Sequence, residues 1–207
     1  MIVSLNEAEG MATKAAWGAG RPWGLAQEAG RAVSGLEAMR LPGAELLLGL
    51  LVATDGVPCE KLGPVSTQSE CWQAEYPLCP VLVGAFIADM RMQSKEMVLG
   101  RVHAPLLLAP FGLTVSETSV ISWSNCTISA CDEGLHVQGA PNAQVAEQVL
   151  MGPCESIAEI THHRRPGAVD IADEIWEALS AFAHRTYVPA SEASRLKGAG
   201  AGLTDND

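Results

Sequence analysis

The sequence predicts an α+β protein in which helices come first, a mainly antiparallel sheet follows, and a last helix leads into a glycine-rich tail. Two observations carry this prediction. Alanine and leucine recur at helical spacing over the first quarter of the chain, whereas residues 81–161 contain short apolar runs separated by Gly, Pro and Asp-Glu-Gly. The connections between those runs are too short to hold crossover helices, which favours antiparallel pairing.

The first helix is predicted to begin at about Leu5, because Ser4 and Glu7 have the spacing of a capping box. Alanines repeat along one face of it, and side chains this small let another helix approach closely. Residues 24–39 have a second apolar stripe, and the sequence Pro42-Gly43 separates them from a third, apolar helix over residues 44–53. Residues 54–77 have no clear period and are predicted to be a loop.

The β-rich part covers residues 78–161. The predicted strands are 81–90, 97–102, 118–123, 126–130 and 135–138, and residues 156–161 are compatible with a further strand. Residues 143–150 could be helix or strand, and they fit the helical period slightly better. A final helix is predicted to open at Asp170, because Ile171, Ile175, Leu179 and Phe182 lie on one stripe.

These elements are expected to form one α+β domain over residues 1–190, with helices in 1–54 and a C-terminal helix in 168–185. The Gly-rich tail, 191–207, is expected to pack on that domain. The sequence Val188-Pro189 gives the tail a stiff, extended start, which is a poor beginning for a disordered end.

Charge and composition exclude several classes of function. The chain has 13 basic and 24 acidic residues, a net charge of -11, so binding to nucleic acid or to an anionic membrane surface is disfavoured. Its apolar runs are shorter than the ~20 residues of a membrane helix. No basic stretch precedes an apolar run at the N-terminus, and a cytoplasmic location is expected. The six cysteines form no C-x-x-C pair and no zinc spacing, so no metal site is predicted.

The glycines of Gly18-x-Gly20-x-x-x-Gly24 allow two interpretations. A dinucleotide fingerprint must follow a strand, and these glycines follow a helix, so a connector between two helices is favoured. The alternative is an anion site at the start of the second helix, with Arg21 adjacent and Lys14 on the helix before it.

The sequence also resembles a bacterial family catalogued only as a domain of unknown function. The N-terminal segments that carry the resemblance are Ser4-Leu-Asn-Glu7, Lys14-Ala-Ala-Trp-Gly-Ala-Gly20, Pro22-Trp-Gly24 and Glu28-Ala-Gly-Arg31. The C-terminal segments are 185–195, 198–202 and 205–207. Trp17 departs from the family's pattern, in which a second basic residue is usual there. The resemblance implies no activity and no catalytic residues.

We expect binding or turnover of a small anionic metabolite at a site formed by the N-terminal helices and the C-terminal tail, because polar and aromatic residues concentrate in Gly-rich surroundings at both ends. The candidate residues are Lys14 and Arg21 for ligand charge, Trp23 as an apolar wall, Glu28 as the acid/base group, and Tyr187, Arg195 and Asp205 from the C-terminal segment.

The alternative is a non-catalytic accessory or interaction subunit. The alanine-rich first helix or the apolar run Leu46 to Ala53 would then contact a homo-oligomer or a partner protein. No G-x-S-x-G, P-loop, H-E-x-x-H or EF-hand pattern is present, so the sequence names neither a reaction nor a cofactor.

Overall fold

The computed structural model describes residues 1–90, 96–113, 116–157, 159–165 and 167–187. Within them the helices are α1 (Leu5–Gly18), α2 (Trp23–Ala38), α3 (Gly43–Ala53), α4 (Pro80–Asp89), α5 (Ala109–Gly112) and α6 (Asp173–His184). The strands are β1 (Ile2–Ser4), β2 (Cys71–Trp72), β3 (Met97–Leu99), β4 (Val102–His103), β5 (Ser119–Trp123), β6 (Cys126–Cys131), β7 (Gly134–Gly139), β8 (Val145–Ala146), β9 (Val149–Pro153), β10 (His162–His163) and β11 (Ala168–Asp170). Short 3-10 turns occur at Cys59–Leu62 and Pro105–Leu108.

Helix α1 lies between α2 and α6, and its small side chains make this close packing possible. The alanines of its apolar face are buried: Ala8, Ala12, Ala15 and Ala16. A Cβ atom at Gly30 of α2 would overlap the Thr13 hydroxyl and lie 2.7 Å from the Glu9 carbonyl oxygen. A Cβ atom at Gly18 would overlap the Phe182 carbonyl of α6. The helix backbones therefore touch where the sequence supplies glycine.

The predicted capping box sets the start of α1. The Ser4 hydroxyl accepts a hydrogen bond from the Glu7 amide at 3.2 Å, and the Glu7 carboxylate accepts one from the Ser4 amide at 2.8 Å. Two otherwise unpaired N–H groups are thus satisfied. Helices α2 and α3 also begin within one residue of their predicted positions.

The Gly18–Gly20 segment is a helix–helix connector, as the favoured interpretation predicted. Gly20 has a φ of +83°, the left-handed conformation in which glycine has no Cβ penalty. Its amide bonds the Trp17 carbonyl at 2.9 Å, and the Arg21 amide bonds the Ala16 carbonyl at 3.1 Å. This pair of bonds is the Schellman arrangement that ends a helix.

The largest sheet within the described residues has the strand order β10-β7-β6-β5-β9-β3-β2. Its pairings are antiparallel except for that of β2 with β3, so the predicted mainly antiparallel sheet is confirmed. Alternate residues of the central strands are buried against the helices, as Ile121 and Trp123 of β5 and Ile128 of β6 show. The α+β fold class is confirmed with it.

Strands β1 and β11, which the sequence did not predict, join the two ends of the described chain. Val3 pairs with Val169 and Ile2 with Asp170 in an antiparallel ladder. Asp170 therefore ends a strand, and α6 begins only at Asp173. The prediction that Asp170 opens the helix was wrong by three residues, because the backbone of Asp170 is engaged by the N-terminal strand.

Residues 81–90 were predicted to be a strand and form helix α4 instead. The run is apolar on every side, and Val81, Val83 and Ile87 are buried in the core. Such a run fits a buried helix and a buried strand equally well by periodicity. Pro80 at the first helical position is the local signal that favours a helix.

The structure decides two further assignments that the sequence left open. Residues 143–150 hold strand β8 and the beginning of β9 rather than a helix, because Met97 and Leu99 of β3 supply backbone partners for β9. The described part of 156–161 is not a strand, and the neighbouring pair His162–His163 forms β10 on the edge of β7 instead. Over the described residues, no helix combines the length and the apolar character that a membrane crossing requires.

The contact between α1 and α6 yields a stability prediction. Gly18→Ala should lower the free energy of unfolding by about 3 kcal/mol, because the new methyl group meets backbone, which cannot move aside as a side chain can. Urea unfolding followed by circular dichroism measures the change.

Gly10→Ala in the same helix is the matched control. No described atom lies within 4 Å of its Cβ position, so it should raise the free energy of unfolding by about 0.5–1 kcal/mol through helix propensity. Equal effects of the two substitutions would contradict the close α1–α6 packing.

Candidate functional site

A groove between α2 and α4 has a volume of about 680 Å³. Helix α4 buries one face against α5, where a Cβ at Gly84 would overlap the Phe111 ring. Its opposite face points toward α2 and forms one wall of the groove. The groove is lined by Pro22, Gly24, Leu25, Glu28, Arg31, Cys59, Leu82, Ala85, Phe86, Ala88, Asp89 and Phe111.

The polar groups of the groove lie mainly on α2. Glu28 and Arg31 are one helical turn apart, and the Arg31 Nη1 donates to the Glu28 carboxylate at 2.6 Å. Asp89 stands at the α4 side of the groove and is exposed. The remaining lining side chains are mostly apolar, so the groove has a hydrophobic surface with charged side chains at its edges.

Cys59 contributes a thiol to this groove. Burial raises the pKa of the Cys59 thiol, and the nearby Arg21 guanidinium opposes that effect only in part. The ordinary cysteine pKa already lies above neutral pH, so Cys59 is a neutral thiol there rather than a thiolate nucleophile. All six cysteines of the chain are free.

Arg21, a predicted ligand residue, is only 4% exposed, and its hydrogen bonds give it a structural role. Its guanidinium donates to the Thr54 hydroxyl, to the Thr54 carbonyl at 3.3 Å and to the Val57 carbonyl at 3.4 Å. Thr54 follows the last residue of α3, where carbonyl groups lack helical partners and favour a cation. Arg21 therefore caps the C-terminal end of α3.

Two of the candidate residues, Lys14 and Trp23, lie on one exposed surface beside Trp17. The rings of Trp17 and Trp23 meet edge to face, with centroids 5.2 Å apart and planes at 79°. They are 46% and 51% exposed. Lys14 is exposed one turn before Trp17 on α1 and has no ion pair among the described residues.

The C-terminal candidates are only partly within the described chain. Tyr187 is exposed and packs edge to face on His184, with ring centroids 5.0 Å apart. Arg195 and Asp205 lie outside the described residues, as does the whole of the 191–207 tail. The two ends nevertheless meet as far as Tyr187, because α1 packs against α6.

The structure therefore separates the candidates into three environments. Lys14 and Trp23 share the exposed aromatic surface, Glu28 lines the α2–α4 groove, and Arg21 is buried. The α4 residues of the groove were missed because their segment was predicted to be a strand. Among the described His, Cys, Asp and Glu side chains, no group of three or more is arranged to hold a metal ion.

Comparison with known families supports the resemblance at the N-terminal end. Residues 3–76 match the family described as "Protein of unknown function (DUF3726)". The match confirms the predicted resemblance to a family catalogued only as a domain of unknown function, and it includes α1, α2, α3 and the Glu28–Arg31 wall of the groove. No curated protein matches the sequence.

A second cavity, of about 380 Å³, contains a buried carboxylate that the sequence did not reveal. It lies where the α2–α3 connection meets the start of α6. Glu37 is 8% exposed, and its carboxylate accepts a hydrogen bond from the Ala44 amide at 2.9 Å. Burial nevertheless raises the pKa of Glu37, since desolvation of the charge outweighs the hydrogen bonds.

The raised pKa of Glu37 predicts a specific pH dependence. The folded state holds the proton more tightly than the unfolded state, so the contribution of Glu37 to stability falls as pH rises above the ordinary Glu pKa of about 4.3. Glu37→Gln keeps an oxygen for the Ala44 amide and removes the titration. The free energy of unfolding of the native chain, relative to this variant, should fall with rising pH.

Urea unfolding at a series of pH values measures this difference. Glu45→Gln, which changes an exposed carboxylate in the first turn of α3, is the control and should not alter the pH dependence to the same extent. Parallel pH profiles of native and Glu37→Gln protein would contradict the raised pKa.

Proposed function

We propose that this chain binds a small molecule with an apolar body and one anionic group in the α2–α4 groove. The observation that carries the proposal is the groove itself, whose volume of about 680 Å³ lies inside the range of about 300–1,000 Å³ typical of small-molecule sites. Its mixture of an apolar lining with a few polar groups is also typical of such sites.

The apolar part of the ligand would lie between the two helices. Leu25 supplies the α2 side, and Leu82, Ala85 and Phe86 supply the α4 side. These four side chains are only partly buried in the protein, so covering them removes apolar surface from water. Each Å² so covered contributes about 25 cal/mol, before the costs of ordering the ligand.

The anionic group would bind at Arg31. A guanidinium has five N–H donors, and the described residues engage only Nη1 of Arg31, through Glu28. The other donors are available for a carboxylate, sulfonate or phosphate group. Asp89 on the opposite side repels an anion, which fixes the orientation of the ligand with its charge toward α2.

Glu28 has a positioning role in this proposal. Its carboxylate holds Arg31 at 2.6 Å, so the guanidinium plane is oriented before a ligand arrives. The acid/base role predicted for Glu28 stays a prediction, and binding, rather than turnover, is the function that the groove supports.

One observation favours the alternative, an interaction subunit. Trp17 and Trp23 form a contiguous aromatic surface, and tryptophan is enriched in protein interfaces. The two surfaces that the sequence offered for this role are mostly core faces, because the α1 alanines are buried and so are Leu46, Leu47, Leu50 and Leu51 of α3.

Binding of 8-anilinonaphthalene-1-sulfonate tests the proposal, because this probe combines aromatic rings with one sulfonate. Its fluorescence should rise on binding to the folded chain. Arg31→Gln should weaken the affinity by about threefold, the value of one exposed ion pair. Ala85→Phe, which fills the groove, should abolish the signal.

Three controls separate groove binding from other causes. Arg164→Gln removes an exposed arginine outside the groove and should leave the affinity unchanged. Nile red, an uncharged probe, should be excluded by Ala85→Phe but not by Arg31→Gln. Circular dichroism must show that each variant is folded, since partly folded chains bind the sulfonate probe too. Ala88→Phe fills the groove from a second position on α4. If the folded Ala85→Phe and Ala88→Phe variants both bind the sulfonate probe as tightly as the native chain does, the proposal is overturned.

A further inference from the structure

The surface formed by Lys14, Trp17 and Trp23, called here the tryptophan surface, is independent of the α2–α4 groove. Neither indole ring lines that groove, and both are about half exposed although they touch each other. Two adjacent exposed indoles leave a large apolar area in water, which favours coverage by another part of a protein.

The described chain ends close to this surface. Gly18, next to Trp17, lies directly on the Phe182 carbonyl of α6. Tyr187 follows Phe182 by five residues, and its amide still bonds the His184 carbonyl at 3.1 Å, so the backbone remains in turn conformation up to that point. At about 1.5 Å per residue of helix or helical turn, Tyr187 lies about 8 Å along the α6 axis from the contact with α1.

We propose that the C-terminal segment 188–207 of this same chain docks on the tryptophan surface. The length of the segment is sufficient, because extended chain spans about 3.3 Å per residue and only a few residues are needed to reach Trp17. Leu196 and Leu203 can cover the indoles. The glycines of Gly198-Ala-Gly-Ala-Gly202 have no Cβ, so backbone can lie flat against an aromatic ring.

Charge favours the same occupant. Lys14 carries an exposed ammonium without an ion pair in the described part of the chain, whereas Arg185 is paired with Asp55 at 2.7 Å. The segment ends in Asp205-Asn-Asp207, which supplies carboxylates for Lys14. An exposed pair is weak, so the carboxylates fix the direction of the segment while the leucines and tryptophans supply most of the contact.

Truncation after Tyr187 tests this inference through tryptophan fluorescence. Trp72 and Trp123 are buried and Trp176 of α6 is partly buried, so the two most exposed indoles, Trp17 and Trp23, dominate quencher access at the surface. The Trp17→Phe/Trp23→Phe chain keeps the other three tryptophans and measures their contribution. Removal of the segment should shift the emission to the red and increase quenching by acrylamide. The same truncation made in a Trp17→Phe/Trp23→Phe chain should change neither quantity.

A second measurement uses the full chain and does not depend on the fold of a truncated protein. A carbodiimide joins an amine and a carboxylate that are in contact, with loss of water, and mass spectrometry of the digest should find Lys14 linked to Asp205 or Asp207. Asp205→Asn/Asp207→Asn should remove this product.

The inference is overturned if truncation leaves emission and quenching unchanged and no cross-link forms. It is also overturned if truncation acts equally in the Trp17→Phe/Trp23→Phe chain, because the segment then lies elsewhere. Quenching that depends on protein concentration but not on the segment would assign the surface to a second copy of the chain. None of these outcomes bears on the ligand site proposed for the α2–α4 groove, which is tested separately by dye binding.

Discussion

The close contact of α1 with both α2 and α6 is the constraint on which the rest of the structure depends. Backbones can approach this closely only because alanines fill the α1 interface and glycines stand at the two nearest points, Gly30 and Gly18. The contact holds the C-terminal helix against the N-terminal one, and the β1–β11 ladder adds a second connection between the same two ends. A consequence is that Trp17 and Trp23, at the end of α1 and the beginning of α2, are left outside the core.

The polar residues buried in the helical layer serve the helix ends. Arg21 closes the C-terminal end of α3 through Thr54 and Val57, and Glu37 binds an amide at the N-terminal end of the same helix. Each places the sign of charge that the helix dipole favours at that end. Buried charges of this kind are costly unless hydrogen-bonded, so both side chains are committed to the fold. That commitment leaves the contacts proposed above to exposed cations, such as Arg31 in the groove and Lys14 at the surface.

The net charge of -11 bears on both proposed surfaces. An acidic chain disfavours anions at long range, so an anionic ligand needs a local cation together with apolar contact, which Arg31 and the α4 side chains supply in one groove. The same reasoning applies to Lys14, whose exposed side chain lies one helical turn before the exposed Trp17 on α1. In each proposed interaction a single cation would set orientation, and apolar surface would supply most of the binding free energy.

Local signals in the sequence determined the capping box at Ser4, the three N-terminal helices, the hairpin strands β5, β6 and β7, and the resemblance to a family of unknown function. Each depends on neighbours a few residues away, through capping, periodicity or turn residues. Only tertiary structure decided that β9 pairs with β3 and that Arg21 is buried while Lys14 is not. The apolar run beginning at Pro80 had one local helix signal, Pro80 itself, but its period did not distinguish helix from strand. Helix and strand are equally apolar when buried on all sides, so partners distant in sequence made that choice. The groove followed from it, because one of its two walls is the helix that periodicity alone could not identify.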